Sequence, residues 1–427
     1  MKKWIGLFVI LTSVFSISCD DDTSDGLSGE ENKNLHEGHE YVDLGLPSGA
    51  LWATEDVSVN GSVFFSWGET VPKESYTVAT YKYCTGADST LTKYNSEVLC
   101  GDNGFIDGLT ELQPEDDAAR VNWGGDWCTP TWDEWQELYD NCTWETITAE
   151  DGTTVFVATS NINGVQLFFP ATGAMQGTNM LYAGKGSYYW ASSVIGDNCM
   201  YSDGLSLSPS SINWKEGKRP MGHCVRAVIP GDRQSMKYVD LGLPSGIKWA
   251  KTNIGAAKPE QTGLLFAWGE TAPKAFYDFT NYVHCSGTPK SMTKYCTNAE
   301  FGTPDDKTRL DAEDDAAVQL LGEGWRMPTL EEIEELMKQC TWVAGTIGEQ
   351  KIYTVTGPNG NSIIIPLAGT MWQTAKEYQN MRGFYWSSDL DDAGDMYAEG
   401  LFLNPVSCSL GSGFTRGSGR TIRAVHE

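Results

Sequence analysis

The feature that most constrains this chain is an internal duplication. The stretch Tyr41-Val42-Asp43-Leu44-Gly45-Leu46-Pro47-Ser48-Gly49 returns letter for letter at Tyr238–Gly246. The sequence after each copy recurs as well. Trp67-Gly68-Glu69-Thr70 matches Trp268-Gly269-Glu270-Thr271, and Glu115-Asp116-Asp117-Ala118-Ala119 matches Glu313-Asp314-Asp315-Ala316-Ala317. Cys142-Thr143-Trp144 matches Cys340-Thr341-Trp342, and Arg226-Ala227-Val228 matches Arg423-Ala424-Val425. The separation stays near about 197 residues, and a period this long means two whole domains in tandem rather than a solenoid. The copies occupy 40–229 and 237–427, joined by a polar linker at 230–236. Each is long enough to bury its own core. Framework shared by the copies can therefore be told from surface on which they differ.

Each copy opens with alternating apolar residues around a Pro-Ser-Gly turn, which predicts two strands. The Trp of Trp-Gly-Glu-Thr reads as a core aromatic. A helix is expected from Pro114-Glu115-Asp116-Asp117-Ala118-Ala119, because carboxylates suit the free amides of a first turn. A second helix starts at Thr131 with Glu134, and again at Thr329 with Glu332, a capping-box pattern. Trp132, Trp135, Leu138 and Cys142 fall on one face of it, as do Leu330, Ile333, Leu336 and Cys340. The last third of each copy reads as short strands: Val165–Pro170, Tyr188–Ser193, Leu205 to Leu207, and Cys224–Val228, with their counterparts. Two helices early and mixed short antiparallel strands late give the class α+β.

The first residues carry an address. Lys2 and Lys3 precede a short apolar run, Trp4–Phe15, too short to span a bilayer. Residues 1–18 therefore read as a signal peptide, and Cys19 as an acyl acceptor that anchors the chain to outer-membrane lipid. Asp20, Asp21 and Asp22 resemble the acidic signal that sends Bacteroidota lipoproteins to the cell surface. Residues 19–39 read as a lipidated, acidic, flexible tether. The formal net charge of -27 argues against non-specific binding to nucleic acid or an anionic membrane through charge.

Taken together, the ordered motifs resemble the major paralogous domain family first named from Fibrobacter succinogenes. Those carrying the resemblance are the nine-residue opening, Trp-Gly-Glu-Thr, Asp-Asp-Ala-Ala, Gly324-Trp325-Arg326-Met327-Pro328-Thr329, Cys-Thr-Trp, Tyr385-Trp386-Ser387-Ser388 and the closing Arg-Ala-Val. They cover nearly the whole chain after the tether. The resemblance implies two tandem C-type-lectin-like domains, a fold shared with formylglycine-generating enzymes. Copy one departs from the pattern at Cys128, which stands where copy two has Arg326.

No Gly-x-Ser-x-Gly, Walker loop, His-Glu-x-x-His or Cys-x-x-Cys motif is present. The two copies lack matching cysteines for an oxidase of the formylglycine-generating kind, and the chain is read as non-catalytic, with no cofactor. His36 and His39 have metal-ligand spacing but lie in the tether. Asp305, Asp306, Asp311, Asp314 and Asp315 are read as a solvated, helix-capping loop rather than a calcium site, and no metal is expected. Local disulfides are expected at Cys84–Cys100 and Cys285–Cys296, from their matching places around a Thr-Lys-Tyr segment. By analogy with C-type lectins, Cys142 is a partner for Cys224, with Cys128 as its rival.

The functional expectation rests on the segment before each last strand. There Ser211–His223 and Ser409–Arg420 diverge while the flanks agree. Asn213, Trp214, Lys215, Arg219 and His223 in copy one, and Phe414, Arg416 and Arg420 in copy two, are the expected ligand-binding residues, since exposed Trp and Arg are common interface anchors. Arg226 and Arg423 are read as structural. The expectation is an adhesin-like lipoprotein of the cell surface that binds an extracellular protein or glycan. A stalk component of a surface assembly is the alternative, and an oxidase stands third.

Overall fold

A computed structural model describes residues 34–150, 152–194 and 200–427. The predicted signal peptide, Cys19 and most of the tether lie outside the described residues. The fold mixes short helices with several small antiparallel sheets, as α+β predicts.

The opening and the close of each copy meet in one sheet. In the first, His39–Asp43 pairs with Leu51–Asp56, which pairs with Arg226–Ile229. In the second, Tyr238–Val239 pairs with Lys248–Ala250, which pairs with Val425–His426. The Pro-Ser-Gly turn is tied to the second helix. Ser48 donates its N–H and hydroxyl to the Glu137 carboxylate at 2.8 and 2.5 Å, and Ser245 does the same to Glu335 at 2.9 and 2.5 Å. Gly45 and Gly242 take positive φ of 66° and 69°. A Cβ on Gly242 would lie 2.9 Å from Asn359, so the identical opening is held by backbone conformation as well as by apolar contacts.

The helices follow their caps. Thr131 accepts from Glu134 N while Glu134 accepts from Thr131 N, and Thr329 with Glu332 repeats the box. The helices run Trp132–Asn141 and Leu330–Gln339. Cys142 lies beyond the helix and opens the strand Cys142–Thr148, the first of a three-stranded meander with Thr154–Ser160 and Gln166–Pro170. Trp132 is half-buried on the outer side of its helix rather than in the core. The earlier helix is also shorter than expected. Pro114–Asp116 forms a single 3₁₀ turn, and the α-helix Ala118–Trp123 starts only after Asp117, which caps Ala119 N and Arg120 N.

The repeated tryptophans are core residues. Trp67, Trp190, Trp268 and Trp386 are at most 1% exposed, and equivalent indole N–H groups find equivalent carbonyls. Trp67 donates to Ala191 and Trp268 to Ser387; Trp190 donates to Phe65 and Trp386 to Phe266, each at 2.8 Å. These four donors are paired, as most buried polar atoms are, whereas the indole N–H groups of the repeated Trp52 and Trp249 are buried without a partner. Arg226 is buried on Asp56 at 2.8 Å, and Arg423 on the carbonyls of Ala250, Lys251 and Ile364. Both are structural, as expected.

Two sequence expectations change here. His36 and His39 belong to a hairpin, Leu35–His36 with His39–Asp43, and not to a free tether. His39 stacks on Trp123 with centroids 3.8 Å apart; an aromatic surface holds this segment down. The second change concerns Cys128. In copy two, Arg326 grips the capping carboxylate Glu332 through two bonds of 2.8 and 2.6 Å. In copy one the matching carboxylate, Glu134, is fully buried. Its guanidinium comes from the linker instead: Arg233 donates to both Glu134 oxygens at 2.9 and 2.7 Å, and to Cys128 Sγ at 3.1 Å. The linker replaces the missing arginine.

Candidate functional site

The two divergent segments occupy the same place in the fold. In copy one, Tyr201–Ser208 pairs with Ser187–Val194 on one side and with Ser211–Trp214 and Gly217–Lys218 on the other. In copy two, Tyr397–Asn404 pairs with Gly383–Leu390 and with the unbroken strand Ser407–Thr415. Each divergent segment therefore begins as the edge of a sheet and then turns back into the fold: Arg219, His223, Arg416 and Arg420 lie beyond the edge strands and pair by backbone with Trp67, Phe65, Trp268 and Phe266. This course decides which of the expected binding residues reach solvent.

Five of the eight do not. Arg219, His223, Phe414, Arg416 and Arg420 are 2%, 4%, 5%, 0% and 7% exposed. Arg219 donates to the carbonyls of Tyr94 at 2.8 Å and Tyr201 at 3.2 Å, with its guanidinium 5.0 Å from the Trp67 ring centroid. Arg416 repeats this on Tyr295, Asp395 and Lys294, 4.8 Å from the Trp268 ring. These arginines staple the tyrosine-rich loop to the sheet. Their presence at the same place in both copies is the signal that marks them as framework.

His223 and Arg420 form a second matched pair. His223 stacks on Trp190 at 4.0 Å, and burial holds its pKa down at about 3. That stack needs Gly217, where a Cβ would lie 2.4 Å from the His223 ring and 2.7 Å from Trp190. Copy two has Phe414 at the position of Gly217 and Arg420 at that of His223. The Arg420 guanidinium sits 3.9, 4.8 and 4.9 Å from the ring centroids of Phe414, Trp386 and Phe384. Burial lowers its pKa to about 9. Part of the divergence between the copies is therefore compensating change inside the core: a small residue with a flat imidazole in one, a phenyl ring with a guanidinium in the other.

Three expected residues remain at the surface. Asn213 and Lys215 are exposed, and Trp214 is half-buried. Lys215 lies 5.5 Å above the Tyr188 ring. Trp214 packs against Trp132 at 5.6 Å and Tyr139 at 6.1 Å, both on the outer side of the helix Trp132–Asn141. Neither helix residue was singled out for binding. The helix packs on the strands Ser187–Val194 and Tyr201–Ser208, which sets both beside the edge strand. Beside this cluster, between the helix end, the strand Cys142–Thr148 and the hairpin turn at Pro209, runs an open groove of about 700 Å³.

The remaining candidates hold the fold together. The carboxylates of Asp311, Glu313 and Asp314 converge, but Lys294 Nζ lies 2.9, 2.7 and 2.5 Å from them and occupies the place of a cation. Asp305 accepts from Tyr295 N and Cys296 N, and Asp315 caps the helix Ala316–Leu321. The expected cysteine pairs do not form. Cys84, Cys285, Cys296, Cys128, Cys142 and Cys224 are free thiols. Cys84 Sγ is 3.1 Å from the Val78 carbonyl, Cys285 Sγ is 3.1 Å from that of Phe279, and Cys296 Sγ is 3.3 Å from the Asp395 carboxylate. Each of these thiols donates to an oxygen rather than bonding to a second sulfur; Cys100 is disulfide-bonded, but not to Cys84. Burial raises the pKa of Cys128 to about 12 and that of Cys142 to about 11, so neither is poised as a nucleophile.

The groove beside the cluster presents aromatic rings, carboxylates and hydroxyls. No family model, no curated protein and no solved structure matches this chain.

Proposed function

We propose that this chain is a non-catalytic, lipid-anchored protein of the outer cell surface that binds an extracellular protein or glycan. Its two copies are read as tandem C-type-lectin-like domains, and Cys19 as the anchor. The observation that carries the reading is the exposed edge of copy one. Asn213, Trp214 and Lys215 stand out on a strand whose counterpart in copy two shares its pairing but not its outward side chains. Rigid placement on a strand beside a helix suits recognition.

The second copy shares the edge but not its side chains. By register Leu410 stands there for Trp214, which favours a spacing role for copy two and binding by copy one. The test is binding of the full chain to glycan and extracellular-protein arrays. Trp214→Ala is expected to abolish a saturable signal without loss of folding. Arg219→Ala is expected to lower stability by about 3 kcal/mol, since it orphans buried carbonyls, and to affect binding only through folding. Full binding by Trp214→Ala would remove copy one's edge as the site.

A further inference from the structure

The groove beside the Trp132, Tyr139 and Trp214 cluster has a chemical character that narrows the ligand. Tyr139 and Trp144 line it with ring surface, Asp140 and Glu145 with carboxylates, and Ser208 and Ser210 with hydroxyls. No lysine or arginine lines it. Trp144 is fixed by stacking on Phe169, with centroids 5.5 Å apart and planes at 29°. Tyr139 is 39% exposed. Asp140 accepts from Gln136 at 2.8 Å and keeps lone pairs for a hydroxyl donor. Rings beside acceptors and hydroxyls match a pyranose, whose C–H face packs on an aromatic ring while its hydroxyls donate to carboxylates. An anionic sugar would meet two carboxylates and a chain of net charge -27.

Copy two supplies an internal control. By register, Leu330, Met337 and Leu410 stand where copy one has Trp132, Tyr139 and Trp214. Lys338 and Val343 stand for Asp140 and Glu145. The backbone is kept, and ring-plus-carboxylate chemistry is present in one copy alone. We infer that the groove of copy one is a binding site for a neutral oligosaccharide, stacked on Tyr139 and Trp144 and hydrogen-bonded to Glu145. This rests on the reading of the protein as a binding protein and names its ligand class.

The experiment immobilises the full chain. It titrates neutral hexasaccharides of glucose, mannose and galactose, a sialylated oligosaccharide and a hexalysine peptide, with protein and glycan arrays in parallel. At least one neutral hexasaccharide is expected to bind. Tyr139→Ala and Glu145→Gln are each expected to weaken it about tenfold, while Met337→Ala in copy two leaves it unchanged. Both altered residues are exposed, so circular dichroism is expected to report normal folding. Neutral-sugar binding that survives both changes would overturn the site but keep the binding function. Binding of hexalysine alone, lost in both variants, would overturn the ligand class. Silence on every array would overturn both this inference and the function it rests on.

Discussion

At the residue scale, the informative substitution is Cys128. Losing an arginine beside a buried, helix-capping glutamate leaves a charge without a partner, which typically costs several kcal/mol. Arg233 supplies that partner from the linker. Arg233→Ala is therefore expected to destabilise the chain by about 3 kcal/mol in urea denaturation. Adding Cys128→Arg should rebuild the arrangement of Arg326 and Glu332 and recover most of the loss. If the double variant were no more stable than Arg233→Ala, the compensation account would fail. The same residue-level logic governs Arg219 and Arg416. An arginine in a divergent stretch looks like an anchor, but these two stand at matched positions and point into the fold.

At the scale of elements, a carboxylate on the central strand of the copy-two sheet makes that strand pH-sensitive. Glu399 lies on the strand Tyr397–Asn404. Burial first, then the charges of Asp391, Asp392 and Asp389, raises its pKa to about 7. The unfolded chain ionises this group near about 4.3. Stability is thus undiminished below that value, falls as pH rises toward about 7, and is flat above. Glu399→Gln is expected to be more stable than the parent at pH 8 by about 1 kcal/mol, after allowance for its partial exposure, and no more stable at pH 4. Denaturation midpoints across pH 4 to pH 8 (a range chosen to bracket both values, about four units wide) measure this. Asp116 has the opposite sign. Burial would raise its pKa, but hydrogen bonds led by Lys93 hold it down at about 2. Its contribution persists until strongly acid pH.

At the scale of the molecule, ion pairs join the copies. Asp203 of the first, 1% exposed, meets Lys258 of the second at 3.1 Å, and Glu97 meets Lys376 at 2.5 Å. The second pair is partly exposed and contributes little. The first is buried, and Asp203 has a raised pKa, burial being the main cause and Lys258 opposing it. Ionisation of Asp203 costs stability as pH rises past the ordinary carboxylate range, and Lys258 limits that cost. Lys258→Met is expected to lower stability at pH 7 by about 2–3 kcal/mol. The loss should shrink as pH falls toward the ordinary carboxylate range, where protonation of Asp203 removes the charge that Lys258 offsets. A pH-independent loss would point to packing instead of charge.

Much of the architecture was legible because it is written in repetition and short-range pattern. The duplication, the capping boxes at Thr131 and Thr329, the core tryptophans and the structural Arg226 and Arg423 follow from spacing along the chain alone. The meander opened by Cys142–Thr148 and the hairpin at His36 were not legible although their pairing is local: Cys142 also fits the helical spacing of the residues before it, and the polar stretch from His36 to Glu40 carries no apolar alternation. The candidate site was half legible. The segment was identified correctly as the place where the copies part, and both copies do put it at the same sheet edge. Which of its side chains face outward was decided by tertiary structure. In both copies the chain leaves the edge after Lys218 or Thr415 and pairs instead with Phe65 and Trp67 or with Phe266 and Trp268, far away along the chain. So His223 pairs with Gly217 and Arg420 with Phe414 in the interior, while Trp214 meets Trp132 and Tyr139 outside. Sequence alone determined that two copies of one fold would form and where they would differ. Only closure of the sheet, by choosing a face for each residue, decided which differences serve the core and which are open to a ligand.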